Sequence, residues 1–207
     1  MYFTKLKLDH TTYRVQKELG NPYQLHRTIM HAFPDNLEDI DRKGRVLFRV
    51  EESKKALYPH VLIQSSLCPN WDFLIGDNNY LVSDPVFKQF KFPSFQKGNI
   101  FVFRLYANPT KKTNGNRVGM YRDEDIYAWL HRKAELSGFK VIHVYITKKE
   151  EVTARVNKKS KTMTFQAIQF EGTLQVIDPS LFHSALIKGI GSGKSFGFGL
   201  LSIAKPS

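Results

Sequence analysis

A tyrosine and a histidine three positions apart, Tyr23 and His26 in the run GNPYQLHRTIMHAF (Gly20 to Phe33), are the residues of this chain best suited by type and spacing to proton transfer. An imidazole has an unperturbed pKa of about 6.5, so near neutral pH it can both take and give a proton. Two groups at i, i+3 share a flank only on a helix. The run reads as one: Asn21 suits the N-cap, and Pro22 suits the first helical position, where the N–H it lacks would be unsatisfied anyway. At about 100° per residue, Leu25, Ile29 and Ala32 fall on one face with Phe33 at its edge, which predicts the buried side. Tyr23, His26 and Met30 fall on the neighbouring flank with Arg27 beyond, along the border between packed and exposed surface. The plain alternative is a half-buried pair whose hydrogen bonds are satisfied inside the fold.

Other chemistries find little support. The seven histidines are dispersed, and His26 and His31, at i, i+5, do not share a face as a chelating i, i+4 pair would, so neither a metal nor any other cofactor is expected. Cys68 is the only cysteine; it cannot form an internal disulfide, it fits a reducing cytoplasm, and it reads as a small buried apolar residue. No G-x-S-x-G occurs. The segment KGIGSGKSFGFG (Lys188 to Gly199) contains GSGKS but is not a nucleotide-binding P-loop: Lys188 stands where the first glycine belongs, and the segment follows a helix and precedes a strand, the reverse of the P-loop order. Its glycines would let backbone N–H groups converge on a phosphate with Ser192, Gly193 and Lys194, or simply let the turn pack closely.

Net charge is +12 over 207 residues, carried by Lys and Arg, which points to a polyanionic partner. A membrane partner is not expected, since no helix pairs a basic face with a Trp- or Leu-rich one and no 18-residue apolar run occurs; the start MYFTKLKLDH does not read as a signal peptide. Arg155, Lys158, Lys159 and Lys161 (RVNKKSK) crowd the tip of an expected hairpin, an element able to probe a nucleic-acid groove, although such a run can also be a solvated turn. Lys111, Lys112, Arg117 and Arg122 form a second basic passage.

The elements that position these residues follow from periodicity. Tyr2 to Asp9 alternates as a half-buried strand, with Leu6 and Leu8 on one side. After the polar connection Pro34 to Lys43, strands are predicted at Arg45–Glu51 and His60–Leu67. Pro69 to Pro93 reads as loop with one short helical turn, and Asn99–Ala107 as a strand closing the first half. Asn108 to Arg117 reads as linker or exposed loop, followed by a helix capped by Asp123 that runs to about Leu136 and is ended by Gly138. Strands are expected at Lys140–Thr147, Val152–Val156, Thr162–Glu171 and Thr173–Ile177, then a helix at Pro179–Lys188 started by Asp178 and Pro179, and a strand at Leu200–Ala204. Two successive β-α-β-β-α-β halves suggest an α+β protein of tandem ferredoxin-like (RRM-like) domains, residues 1–110 with the Tyr/His helix and 111–207 with the basic hairpin and glycine-rich loop.

Taken together, the strand YFTKL, the NPYQLHR helix, VLIQS, FRLYANPTK, AWLHRK, FEGTLQV and GIGSGKSFGFGLLSIA resemble the CRISPR-associated endoribonucleases of the CasE (Cse3) family across nearly the whole chain. The resemblance implies the tandem ferredoxin-like fold and a cytoplasmic enzyme that acts without metal or nucleotide. It would cut CRISPR-repeat RNA at the 3′ base of a stem-loop, leave 2′,3′-cyclic phosphate and 5′-OH ends, keep the crRNA hairpin, and work beside other Cascade subunits. It makes His26 the main catalytic residue and Tyr23 its partner, with acid and base roles left open. Arg27, His31, Arg155, Lys158, Lys159, Lys161, Ser192, Gly193 and Lys194 become RNA contacts. Some relatives carry lysine where this chain has His31, so a fixed third cation is in doubt. The competing reading is a non-catalytic RNA-hairpin-binding module of two RRM-like domains, weakened because neither half shows an aromatic-rich RNP1 pattern.

Overall fold

The computed structural model describes residues 1–34, 45–52, 57–75, 79–157 and 159–206. They divide into two compact units, Met1–Lys91 with Thr153–Met163 and Ser195–Gly197, and Phe92–Val152 with Thr164–Lys194 and Phe198–Ser207.

In the first unit β1 (Tyr2–Lys7), β2 (Leu47–Glu51), β3 (His60–Ser65) and β4 (Val86–Gln89) form an antiparallel sheet of order β2-β3-β1-β4. That is the order and sense of a ferredoxin-like sheet. Alternation in β1 buries Leu6 as expected, Leu8 follows it into the core, and Lys5 stays exposed. Among the described residues three helices accompany the sheet: α1 (Tyr13–Leu19), α2 (Pro22–Met30) and a single turn, α3 (Asp72–Ile75). Leu25, Ile29, Ala32 and Phe33 join Leu6, Val15, Phe48 and Trp71 in one core, so the face predicted for α2 is the packed one. Sequence periodicity missed α1, whose buried residues are only Val15 and Glu18. It also missed β4, an edge strand with all four residues exposed; β4 is held by backbone pairing to β1, which leaves no apolar alternation to read.

The second unit repeats the plan with β5 (Ile100–Ala107), α4 (Asp123–Leu136), β8 (Phe139–Ala154), β9 (Met163–Val176), α5 (Pro179–Lys188) and β10 (Leu201–Ala204), in sheet order β10-β5-β9-β8. The strand expected to close the first half, β5, therefore belongs to the second sheet, where it pairs with β9 and β10 and buries Phe101, Phe103, Leu105 and Ala107. The presumed linker is instead a hairpin of β6 (Thr110–Thr113) and β7 (Asn116–Gly119). Its turn, Asn114-Gly115, has both φ angles positive, the geometry for which Asn-Gly is the usual hairpin signal.

The four strands expected between 140 and 177 are two long ones, β8 and β9. Gly172 lets them approach: a Cβ there would run into the His143 carbonyl and lie 2.8 Å from the Val144 Cα. Arg122, not Asp123, occupies the N-cap of α4, and Asp123 is its first residue. Asp178 caps α5 as expected, its Oδ1 accepting from the N–H of Ser180 and of Leu181 at 2.9 Å each. Cys68, expected buried, is exposed. No described helix is long and apolar enough to cross a membrane.

Candidate active site

Helix α2 sets Tyr23 and His26 half-buried, one turn apart, with Arg27 exposed beside them. The imidazole lies over Phe48, a fully buried residue of β2, with ring centroids 6.0 Å apart and planes inclined by 10°. Its Nδ1 is buried without a hydrogen-bond partner. Nε2 is not sealed in this way. Burial holds the His26 pKa below the ordinary histidine value, because the charged form loses hydration and no carboxylate replaces it. The site thus keeps a neutral imidazole at neutral pH.

Tyr23 packs on a different ring. Its partner is Phe196, at 6.1 Å between centroids and 34° between planes, from the 3₁₀ turn Lys194–Phe196. Gly197 follows with φ +86, and a Cβ there would come within 3.2 Å of the Phe48 ring. No hydrogen bond joins the Tyr23 hydroxyl to the imidazole, so the pair is not the internally satisfied couple of the plain alternative. Phe196 and Gly197 lie in the glycine-rich segment the sequence singles out, but their place against Tyr23 and Phe48, like that of Phe48 beside His26, is not legible because these segments are remote in sequence from α2.

Asn21 stands at the N-cap of α2 but does not cap it with its side chain. Its amide instead clamps the backbone of Arg155: Nδ2 donates to the Arg155 carbonyl at 2.9 Å and Oδ1 accepts from the Arg155 N–H at 3.2 Å. Gln24 adds a bond from Nε2 to the Val156 carbonyl at 3.3 Å. The structure therefore brings the start of the basic hairpin tip to the start of the Tyr/His helix, within the first unit.

Arg155, Lys159 and Lys161 are exposed, and Lys158 lies outside the described residues. The tip is ordered locally, since Asn157 Oδ1 accepts from the N–H of Lys159 at 2.9 Å and of Ser160 at 2.8 Å. His31 is exposed at the end of α2, 6.0 Å from the Phe73 ring. Ser192, Gly193 and Lys194 belong to the second unit, between α5 and β10 as the sequence order required. There Ser192 bridges Asn108, and Gly193, at φ +78, packs so that a Cβ would come within 2.9 Å of the Phe198 ring. Among the described residues no three His, Cys, Asp or Glu side chains gather as a metal site.

Two antiparallel sheets of ferredoxin-like order, one unit carrying a half-buried imidazole on the helix that is tied to a basic hairpin tip, define a tandem ferredoxin-like protein. The family model described as "CRISPR associated protein" matches residues 1–205. The chain is 34% identical over 216 residues to the CRISPR-associated endoribonuclease Cse3 of Thermus thermophilus, covering 99% of this chain and 100% of that protein. It is 32% identical over 196 residues to the CRISPR system Cascade subunit CasE of Escherichia coli, covering 88% and 91%. Thermus thermophilus Cse3 bound to an RNA representing a pre-cleavage complex matches with a TM-score of 0.84 at 32% identity, over 98% of each chain. The chain belongs to the CasE/Cse3 family of CRISPR-associated proteins.

Proposed function

We propose that this chain is a cytoplasmic endoribonuclease that cuts CRISPR-repeat RNA at the 3′ base of its stem-loop and keeps the hairpin as a crRNA within a Cascade assembly. The observation that carries this reading is the His26 imidazole, half-buried against Phe48 with Nδ1 sealed and its pKa held below the ordinary histidine value by burial. Support comes from the relatives, one named an endoribonuclease and found with a pre-cleavage RNA, another a Cascade subunit.

The reaction needs no water and no metal. The 2′-oxygen forms a bond to the adjacent phosphorus while the bond from phosphorus to the leaving 5′-oxygen breaks, giving a 2′,3′-cyclic phosphate and a 5′-OH. One proton leaves the 2′-OH and one arrives at the 5′-oxygen, so the exchange is balanced within the site. A neutral His26 is ready to accept at Nε2; the imidazolium it becomes can then supply the proton to the 5′-oxygen, directly or through Tyr23. Positioned proton transfer contributes about 10²- to 10⁴-fold. Holding the 2′-oxygen in line with the leaving oxygen adds the rest, a task for the exposed cations Arg27, Arg155, Lys159 and Lys161 and for Lys158 and His31 as phosphate contacts.

The test is incubation of the protein with a repeat hairpin in the presence of EDTA, with analysis of fragment ends. A single cut below the stem bearing a cyclic phosphate is expected. A hairpin that is bound tightly but stays whole would overturn the reading in favour of a binding module.

A further inference from the structure

A cavity of about 420 Å³ lies wholly within the second unit and shares only Ser192 with the site residues described above. Five cationic side chains line it: Lys111, Lys112 and Arg117 from the β6–β7 hairpin, and Arg132 and Lys133 from α4. No carboxylate lines it. Among the described residues none of the five has an ion-pair partner, whereas in the same unit Arg104, Lys148 and Lys149 are each bridged to a carboxylate.

This arrangement costs free energy in the unliganded protein. Lys112 and Arg117 are directly opposite in the hairpin register, and like charges in that position repel. Lys133, only half-exposed, has its ammonium pKa held below the usual lysine range, first by burial and then by Arg132 and Arg117. An anion seated among the five would offset both effects.

We propose that this cavity is a second seat for RNA on the protein, one that takes the phosphodiester backbone of a single strand and does not read its bases. The proposal rests on the endoribonuclease reading for the identity of the polyanion. Concavity favours a phosphate over an acidic protein face, because a flat face would meet the outer lysines but not Lys133. The floor offers no stacking platform: Trp129 is 2% exposed and lies against Gly191, so no ring face is open to a base, and what the cavity presents is positive charge. Ser192, the glycine-rich-loop residue expected to hold phosphate, borders this same cavity.

The experiment measures binding of a repeat RNA, with single-stranded flanks and 2′-deoxy nucleotides around the stem so that it is not cut, across a salt series. Three full-length variants are compared with the wild type. The first removes Lys112, Arg117 and Arg132 to alanine. The second exchanges them as Lys112→Arg, Arg117→Lys and Arg132→Lys. The third removes three exposed lysines outside the cavity, Lys17, Lys97 and Lys140.

Loss of three phosphate contacts should lower the slope of log K against log salt by about 2 and weaken binding roughly tenfold or more at low salt. The charge-keeping exchange should restore the slope, and the third variant should match the wild type. An unchanged slope in the first variant, or an equal loss in the third, overturns the proposal. A wild-type protein that binds and cuts the unmodified hairpin while the first variant binds normally sinks this inference alone. A wild type that does neither sinks the endoribonuclease reading as well.

Discussion

The two units share one strand order and treat charge in opposite ways. In the first, a titratable group is drawn into apolar surroundings: His26 lies on Phe48, one nitrogen is sealed without a partner, and burial keeps the ring neutral. In the second, cations are left wet and without carboxylates around an open cavity. Proton transfer gains from a dry group whose protonation the protein sets, whereas phosphate binding gains from hydrated charges that release counter-ions. One topology serves both because the difference lies in what surrounds each side chain, not in the path of the backbone.

That comparison is broken most directly at the imidazole. His26→Ala should lower the single-turnover cleavage rate by about 10²- to 10⁴-fold while hairpin affinity stays within a few fold. A variant that cuts at the wild-type rate would move the chemistry elsewhere. Next is the ring beneath it. Phe48→Ala removes a fully buried aromatic and should cost about 3–5 kcal/mol of stability in a denaturant titration. Phe48→Leu should leave the protein folded and, by admitting water to the imidazole, move the acid limb of the pH–rate profile upward toward the ordinary histidine value; a limb that stays put would mean that Phe48 does not set the desolvation.

The same burial makes a stability prediction whose sign can be worked out. The unfolded chain protonates His26 near pH 6.5 and the folded chain only at lower pH, so between those values the unfolded state binds more protons. The His26 contribution should be constant above about pH 6.5 and decline as pH falls toward the folded value, and this decline should be missing from the melting temperatures of His26→Gln.

The first unit also carries wet cations at its hairpin tip, and replacing Arg155, Lys159 and Lys161 by alanine should weaken hairpin binding about tenfold and reduce the salt slope by about 2. The smallest effect belongs to the clamp between helix and hairpin tip. Asn21→Ala loses two hydrogen bonds to the Arg155 backbone, which are solvent-exposed, and should cost about 1 kcal/mol and speed proteolysis within residues 155–161. Equal protection in wild type and variant would show that the clamp does not order the tip.

Local pattern determined a good deal by itself. The period of α2 assigned Leu25, Ile29, Ala32 and Phe33 to the core and left Tyr23 and His26 at its border, because a helix with an apolar face has one way to turn it inward. Asp178-Pro179 set the start of α5, and the alternation of β5 set its buried face. The resemblance of whole motifs named the family. Where side-chain pattern is absent, pairing decided: β4 is an exposed edge strand held to β1, and β8 and β9 run unbroken through charges and a glycine because Gly172 admits the His143 carbonyl.

Only the tertiary structure gave β5 to the second sheet, since alternation shows which face of a strand is buried and not which neighbour it pairs with. It took Asn21 from its helix cap to hold Arg155, put Phe48 beneath His26, and gathered Lys111, Lys112 and Arg117 with Arg132 and Lys133. Each of these joins residues remote in sequence, and the pKa of a histidine or the worth of a lysine follows from such neighbours and the water they exclude.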